Sequence, residues 1–319
     1  MSAVPVIDLR AWFDGDRADR ERVAARVDAA LSEIGFLVVT GHGVPAGPRE
    51  RIREAAGRFF ALPEEVKARY AATVGERGWL PPGVEANGYA EGTPTPPDLK
   101  ETFAAGADRP TGDAAIDAEW FQPNVWPAEE PELEPLVVDH LARMRALAGE
   151  LLVICAAALG LAPDFFTSRA GHPSYTLNIN RYPPLSRLGP PEPGQFRIGP
   201  HTDFGTVTVL DRQDGVGGLQ VHTPEGGWAN APFVEDSFTI NTGDLLARWT
   251  GDRWRSGRHR VLPPDPSAPD EELLSLVYFY ECDPGAVIES LGPPVGRVAH
   301  PPVRASEFLL ERLDAITLR

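Results

Sequence analysis

The sequence predicts an α+β, mainly β fold, with a helical N-terminal half packed on a two-sheet β-barrel. Three observations predict it. Early in the chain, apolar residues recur at helical spacing between short strand-like runs. After residue 173 the texture changes to short β-rich runs separated by turn clusters: "SYTLNINRY", "GTVTVL", "GGLQVH", "SFTINTG", "RWRSGRHRVL" and "ELLSLVYFYE". The chain has 319 residues, 42% hydrophobic and 24% charged, which is enough to bury a large core.

Taken in order, "VPVIDL" reads as a short strand. Val23, Val27, Ala30, Leu31 and Ile34 then mark one apolar helix face. "GFLVVTGHGV" reads as a buried strand ending in a turn at Gly41 to Gly43. A second helix is expected over Arg49 to Leu62, with Pro63 starting a further turn. Residues 78 to 112 are rich in Gly and Pro. They read as a linker or a long loop over a site, with Trp79 and Tyr89 in a candidate lid. A long helix is expected over Pro135 to Leu159, striped by Leu141, Met144, Ala148, Leu151 and Cys155 and ended by Gly160 and Pro163. A last helix is expected over Glu307 to Ile316. These elements suggest an N-terminal region over 1–115 and a barrel core over 116–319, together one compact unit.

Net charge is −16. An acidic surface repels phosphate backbones and anionic lipid, so neither nucleic acid nor membrane is an expected partner. The longest apolar run, "LLVICAAALGLA", is too short to span a bilayer. The N-terminal "MSAVPVIDLR" shows no signal-peptide pattern. Cys155 and Cys282 sit in apolar runs and read as buried thiols, so a reducing cytoplasm is expected. There is no Gly-x-Ser-x-Gly elbow for a serine hydrolase. "GVGG" lacks the Gly spacing and the following helix of a dinucleotide site.

The segment "IGPHTDFGTVTVL" holds two good metal ligands one residue apart, His201 and Asp203. A third is available in "RWRSGRHRV", where strand alternation places Gly257, His259 and Val261 on one face. Two imidazoles and one carboxylate on one face of a metal leave positions open, as non-haem Fe(II) oxygenases require. His-x-Asp alone also fits a turn capped by Asp, and a zinc hydrolase could use the same three ligands. His42, His140, His172, His222 and His300 lie in turns, on a helix or at strand edges, where structural or solvated roles are expected.

The surrounding segments carry more information. "GFLVVTGHGVP", "RGWLPPGVE", "PPDLKETFAAG", "NINRYPP", "PHTDFGTVTVL" with "GVGGLQV", and "SFTINTGDLLARWTGDRWRSGRHRV" follow one another in order over nearly the whole chain. Together they resemble the isopenicillin N synthase-like family of Fe(II)/2-oxoglutarate dioxygenases. The resemblance implies a double-stranded β-helix, or distorted jelly roll, around an iron held by His201, Asp203 and His259. It implies Fe(II), 2-oxoglutarate and O2 as cofactor and co-substrates. It also implies a small-molecule substrate of secondary metabolism, such as antibiotic biosynthesis, that is hydroxylated, desaturated or cyclised. Tyr182, Ser275 and Asn180 match family positions near the co-substrate. Phe103 lies where the family lines its pocket. Phe279 and Glu281 share a strand face with Ser275 and could reach substrate, Glu281 by receiving an amine or hydroxyls. A monomer or weak homo-oligomer is expected.

One departure stands out. The family carries an Arg-x-Ser pair whose arginine grips the distal carboxylate of 2-oxoglutarate, and here the Arg position is Leu273. Leucine cannot pair a carboxylate. A replacement is one reading: Arg255 shares the expected strand face of His259, and Arg197 that of His201, whereas alternation points Arg181 away. A 2-oxoglutarate-independent oxidase of the isopenicillin N synthase type is a second reading. A non-catalytic binder is a third.

Overall fold

The computed structural model describes residues 3–92 and 95–316. Twelve strands build two facing sheets. They are β1 (Val6–Asp8), β2 (Phe36–Thr40), β3 (Gly78–Leu80), β4 (Glu101–Gly106), β5 (Tyr175–Tyr182), β6 (Ile198–His201), β7 (Val207–Asp211), β8 (Leu219–His222), β9 (Trp228–Asn230), β10 (Phe238–Thr242), β11 (His259–Val261) and β12 (Leu273–Tyr280). The major sheet runs β1-β2-β10-β7-β12-β5-β4-β3, and the minor sheet β6-β11-β8-β9. A small ribbon, Val287–Ile288 with Val303–Arg304, lies outside both.

Strand alternation gives the major sheet two different faces. One face is apolar. Leu37, Val39, Phe103, Leu177, Ile179, Val207, Val209, Ile240, Leu276 and Tyr278 join one buried cluster with Val27, Ile52, Phe59, Leu141 and Met144. The latter come from helices Arg17–Glu33, Ala46–Phe60 and Leu133–Ala158. The other face looks toward the minor sheet. At β2 it is apolar: Phe36 and Val38 pack with Leu219 and Val221 in a second, smaller cluster. Elsewhere this inner face carries Thr102, Asn178, Asn180, Ser275, Thr208 and Asn241. Polar side chains on an inward strand face make a site rather than a core.

Local sequence explains the joints. Helix Arg17–Glu33 starts at Asp16, whose carboxylate accepts the Asp19 N–H at 2.9 Å, while the Asp19 carboxylate accepts the Asp16 N–H. It leads into β2 through Gly35, at φ +75°, where a Cβ would lie 2.5 Å from the Arg255 carbonyl oxygen. The long helix ends at Ala158, with Gly160 at φ +66°.

Residues 78–112 differ from the linker or loop expected. They contribute β3 and β4 to the major sheet, with Pro81, Pro82, Gly83 and Gly88 among the residues between them. Trp79 belongs to no lid: it is buried on the helix-facing side and donates its indole N–H to Glu101 Oε2 at 2.7 Å. Strands from both sides of residue 115 share the major sheet. Among the described residues, no helix is long and apolar enough to cross a membrane.

Candidate metal centre

β6 and β11 pair antiparallel with His201 directly opposite His259. Their rings lie 4.2 Å apart between centroids. Each imidazole is oriented in the same way: His201 Nδ1 meets the Gly199 carbonyl at 2.8 Å, and His259 Nδ1 the Gly257 carbonyl at 3.0 Å. A carbonyl oxygen can only accept, so each Nδ1 carries the proton and each Nε2 keeps its lone pair. Asp203, in the turn after β6, sets its Oδ1 3.6 Å from His201 Nε2 and 3.8 Å from His259 Nε2. One ligand atom from each residue lies within 4.8 Å of the others, and all three residues are buried.

Asp203 is itself held. Its Oδ2 accepts the Asn241 Nδ2–H at 2.6 Å, which leaves Oδ1 for the shared centre. Its carbonyl accepts the Asp244 N–H at 2.8 Å. Burial by itself would raise the Asp203 carboxyl, but His259, His201 and Asn241 outweigh it and hold the group well below the usual carboxylate range. Burial disfavours a charged His201, yet the adjoining Asp203 carboxylate raises it above its ordinary value. A proton thus competes for the place a cation would take, and metal affinity falls in acid. Two neutral nitrogens and one carboxylate oxygen, with no thiolate, suit a ferrous ion that needs open positions.

Comparison with known proteins decides between iron and zinc. Residues 4–129 match the family "non-haem dioxygenase in morphine synthesis N-terminal", and residues 174–281 the "2OG-Fe(II) oxygenase superfamily". The chain is 46% identical over 312 residues to validamycin A dioxygenase of Streptomyces hygroscopicus subsp. limoneus, covering 97% of this chain and 86% of that protein. It is 34% identical over 271 residues to the 2-oxoglutarate-dependent dioxygenase tropC of Talaromyces stipitatus, covering 81% of each. The crystal structure of a full-length Neurospora crassa protein in complex with alpha-KG superposes with a TM-score of 0.84 at 27% identity, covering 98% of both chains. This chain belongs to the 2OG-Fe(II) oxygenase superfamily. It is an Fe(II)- and 2-oxoglutarate-dependent dioxygenase with the superfamily's jelly-roll core, and the oxidase and binder readings fall away.

The residues expected near 2-oxoglutarate, Asn180, Tyr182 and Ser275, lie on β5 and β12. Their register sets Leu273 opposite Tyr182 and Ser275 opposite Asn180. The Tyr182 hydroxyl lies 3.2 Å from Ser275 Oγ, and Asn180 Oδ1 accepts the Thr102 hydroxyl at 2.8 Å. Arg197 enters from the minor sheet with a side chain only 2% exposed, its guanidinium 5.4 Å from the Tyr182 ring centre. Its Nη1 donates to Glu271 Oε1 at 2.8 Å, and Nη2 to the Glu271 carbonyl at 3.2 Å.

Two expected site residues lie elsewhere. Arg255 is exposed and donates to the Ser32 carbonyl at 3.3 Å. The parity that linked it to His259 fails because the strand begins only at His259; residues 250–258 form an irregular turn. Phe103 points to the helices, 5.2 Å from Phe59 between ring centres, because Thr102 and Ala104 take the inner face of β4. Arg181 does point away, to Glu101 and Glu272. Phe279 and Glu281 are half-buried on the Ser275 side of β12. Glu281 Oε2 accepts the Thr206 N–H at 3.0 Å. Burial, reinforced by the Asp203 charge, pushes its carboxyl up to about 8.

Sequence reasoning missed three contributors. Asn241 was discoverable, since alternation in "SFTINTG" puts a buried amide on the inner face. Asp98 accepts the Gly199 N–H at 2.9 Å and the Asn87 side-chain N–H at 2.7 Å, and so ties Asn87 to the metal strand. Lys100 is buried beside Thr102, its Nζ 3.2 Å from the hydroxyl and paired with Glu85. Neither of these two has a local pattern that announces its role.

Proposed function

We propose that the protein oxidises an unactivated C–H bond of a small secondary metabolite, with His201, Asp203 and His259 holding the ferrous ion and Arg197 gripping the distal carboxylate of 2-oxoglutarate. Bound Fe(II) and 2-oxoglutarate supply an oxidative decarboxylation that consumes O2, releases succinate and CO2, and drives oxidation of the substrate. The protein's part is placement, water exclusion and electrostatics. The two oriented imidazoles and the Asn241-anchored carboxylate fix one face of the metal. Asp203 removes one unit of the ion's charge and leaves a cationic site for an anionic co-substrate.

The observation that carries the altered grip is the buried Arg197 guanidinium over the ring of Tyr182, the residue paired with Leu273. A guanidinium has five N–H donors, of which the two contacts to Glu271 use only part. Fork geometry suits a carboxylate, and the Tyr182 and Ser275 hydroxyls can supply further donors. Likeness to validamycin A dioxygenase supports a substrate from secondary metabolism, with hydroxylation as the simplest outcome. Buried Cys155 and Cys282, both free thiols, accord with work in a reducing cytoplasm.

The test is anaerobic titration of 2-oxoglutarate into Fe(II)-loaded protein, followed by the visible charge-transfer absorption of the chelate. Arg197→Leu should weaken co-substrate affinity by roughly tenfold or more, the loss of a charge-assisted fork, while Arg255→Leu leaves it unchanged. Unaltered affinity in Arg197→Leu would remove Arg197 from this role.

A further inference from the structure

Arg197 is one of two buried cations near Tyr182. The other is Lys100, which stands just before β4. A backbone contact joins the start of β4 to the start of β6: the Leu99 N–H bonds the Phe196 carbonyl at 2.9 Å, and each cation follows one partner of that bond in the chain. Lys100 Nζ donates to Thr102 Oγ1 at 3.2 Å, and the Thr102 hydroxyl donates in turn to Asn180 Oδ1 at 2.8 Å. Asn180 stands opposite Ser275, whose Oγ lies 3.2 Å from the Tyr182 hydroxyl. Burial lifts that hydroxyl above its ordinary value, and the charges of both Lys100 and Arg197 act against the rise. Both cations therefore stand within electrostatic reach of it.

Their counter-ions are held differently. Besides Arg197, Glu271 accepts the backbone N–H groups of Val216 and Gly217, so it is anchored to the chain. The Glu85 carboxylate has one hydrogen-bond partner among the described residues, Lys100 itself. Glu85 follows the exposed turn at Pro82 and Gly83. The third acid nearby, Asp98, is engaged by the Gly199 and Asn87 N–H groups, and burial pushes its carboxyl up. Burial works against the Lys100 ammonium, but Glu85 and Asp98 raise it above its ordinary value, so it stays charged. As packed, each cation is already neutralised. A further carboxylate would add an unbalanced charge to a low-dielectric wall unless one of these acids leaves. Glu85 is the one that can. An ammonium also has three N–H donors, of which Glu85 and Thr102 take two.

We propose that Lys100 is a second binding cation for the distal carboxylate of 2-oxoglutarate, and that Glu85 is the counter-ion the co-substrate displaces from it. The inference rests on the function proposed above and adds a residue to its co-substrate grip. Lys100 and Arg197 together replace the arginine missing at Leu273. The exchange is carboxylate for carboxylate: the charge of the buried wall is conserved while Glu85 passes to water. Glu85 is thus a built-in competitor, and its neutralisation strengthens co-substrate binding. A pair that served only to hold the fold would behave otherwise, since loss of either member would weaken every ligand alike.

The experiment titrates anaerobic Fe(II)-loaded protein with two probes, 2-oxoglutarate and 2-oxovalerate, which offers the same chelating group with a methyl in place of the distal carboxylate. Binding of each is read from its charge-transfer band. Lys100→Met should weaken 2-oxoglutarate roughly tenfold or more, the worth of a charge-assisted contact, and leave 2-oxovalerate unchanged. Glu85→Gln should tighten 2-oxoglutarate roughly threefold or more, the worth of a modest ion pair, again without effect on 2-oxovalerate. Lys100→Met that weakens both probes alike or neither, or Glu85→Gln that fails to tighten 2-oxoglutarate, overturns the proposal. If Lys100→Met does not fold, the sign of the change in Glu85→Gln decides alone. Loss of the preference for 2-oxoglutarate in Arg197→Leu but not in Lys100→Met overturns this inference and leaves the function above standing. Absence of any band in native protein overturns both.

Discussion

At the scale of single residues, the centre depends on groups that do not themselves touch the metal. The Gly199 and Gly257 carbonyls choose the tautomers of His201 and His259, and Asn241 chooses which oxygen of Asp203 is left free. Such supporting contacts are commonly worth as much as a weak ligand. Asn241→Ala should therefore lower Fe(II) affinity by roughly 10- to 100-fold, measured by competition with a calibrated chelator, with the fold retained by circular dichroism. Of the residues at this scale, His201 and Asp203 were legible because one short segment carries both. His259 was legible only through its neighbours in "RWRSGRHRV" and through family resemblance. Arg255 and Phe103 were misplaced for one reason: parity holds only inside a regular strand and only when its register is known. Arg255 precedes the strand, and the inner face of β4 belongs to Thr102 rather than Phe103.

At the scale of elements, each strand between the edges of the major sheet serves two neighbours, and the polar groups between layers set the conditions under which they stay packed. Helix Leu133–Ala158 lays His140 against the sheet, near a buried cluster in which Arg49 and Arg53 clamp Asp211 at 3.1 and 2.7 Å. His140 Nδ1 has no partner there. Burial depresses the imidazole from its ordinary 6.5 to about 4. The folded state keeps His140 neutral while the unfolded chain protonates it below 6.5, so folding expels a proton between about 4 and 6.5. Stability should fall as pH drops through that window, by up to about 3 kcal/mol from this group. Above the window the group has no effect. Urea melts of native protein and His140→Leu across pH 4.5–7.5 check this, and the variant should show a flatter acid limb. The three long helices and most strands were readable from periodicity. β3 and β4 were not, since their Gly- and Pro-rich surroundings look like a loop until the sheet they join is known.

At the scale of the whole molecule, the two faces of the major sheet divide the work. The outer face buries apolar side chains against the helices and gives the barrel a rigid back. The inner face closes on the minor sheet around Phe36 and Val38 and leaves polar groups around the metal triad. The minor sheet brings His201 and His259 side by side, and the turn after β6 adds Asp203. Superposition on the Neurospora crassa structure over nearly the full length of both chains shows that this arrangement is the superfamily's architecture. The proposed co-substrate grip was only partly legible. The missing arginine could be read from its motif, whereas its proposed stand-in, Arg197, required knowing which side chain crosses the barrel. The central claim is that His201, Asp203 and His259 hold one ferrous ion to which 2-oxoglutarate binds. Anaerobic Fe(II) titration in the presence of 2-oxoglutarate tests it most directly: native protein should develop the charge-transfer band and saturate at one iron per chain, and Asp203→Ala should abolish it. A band that persists in Asp203→Ala, or native protein that binds zinc but forms no ferrous 2-oxoglutarate complex, would contradict the account.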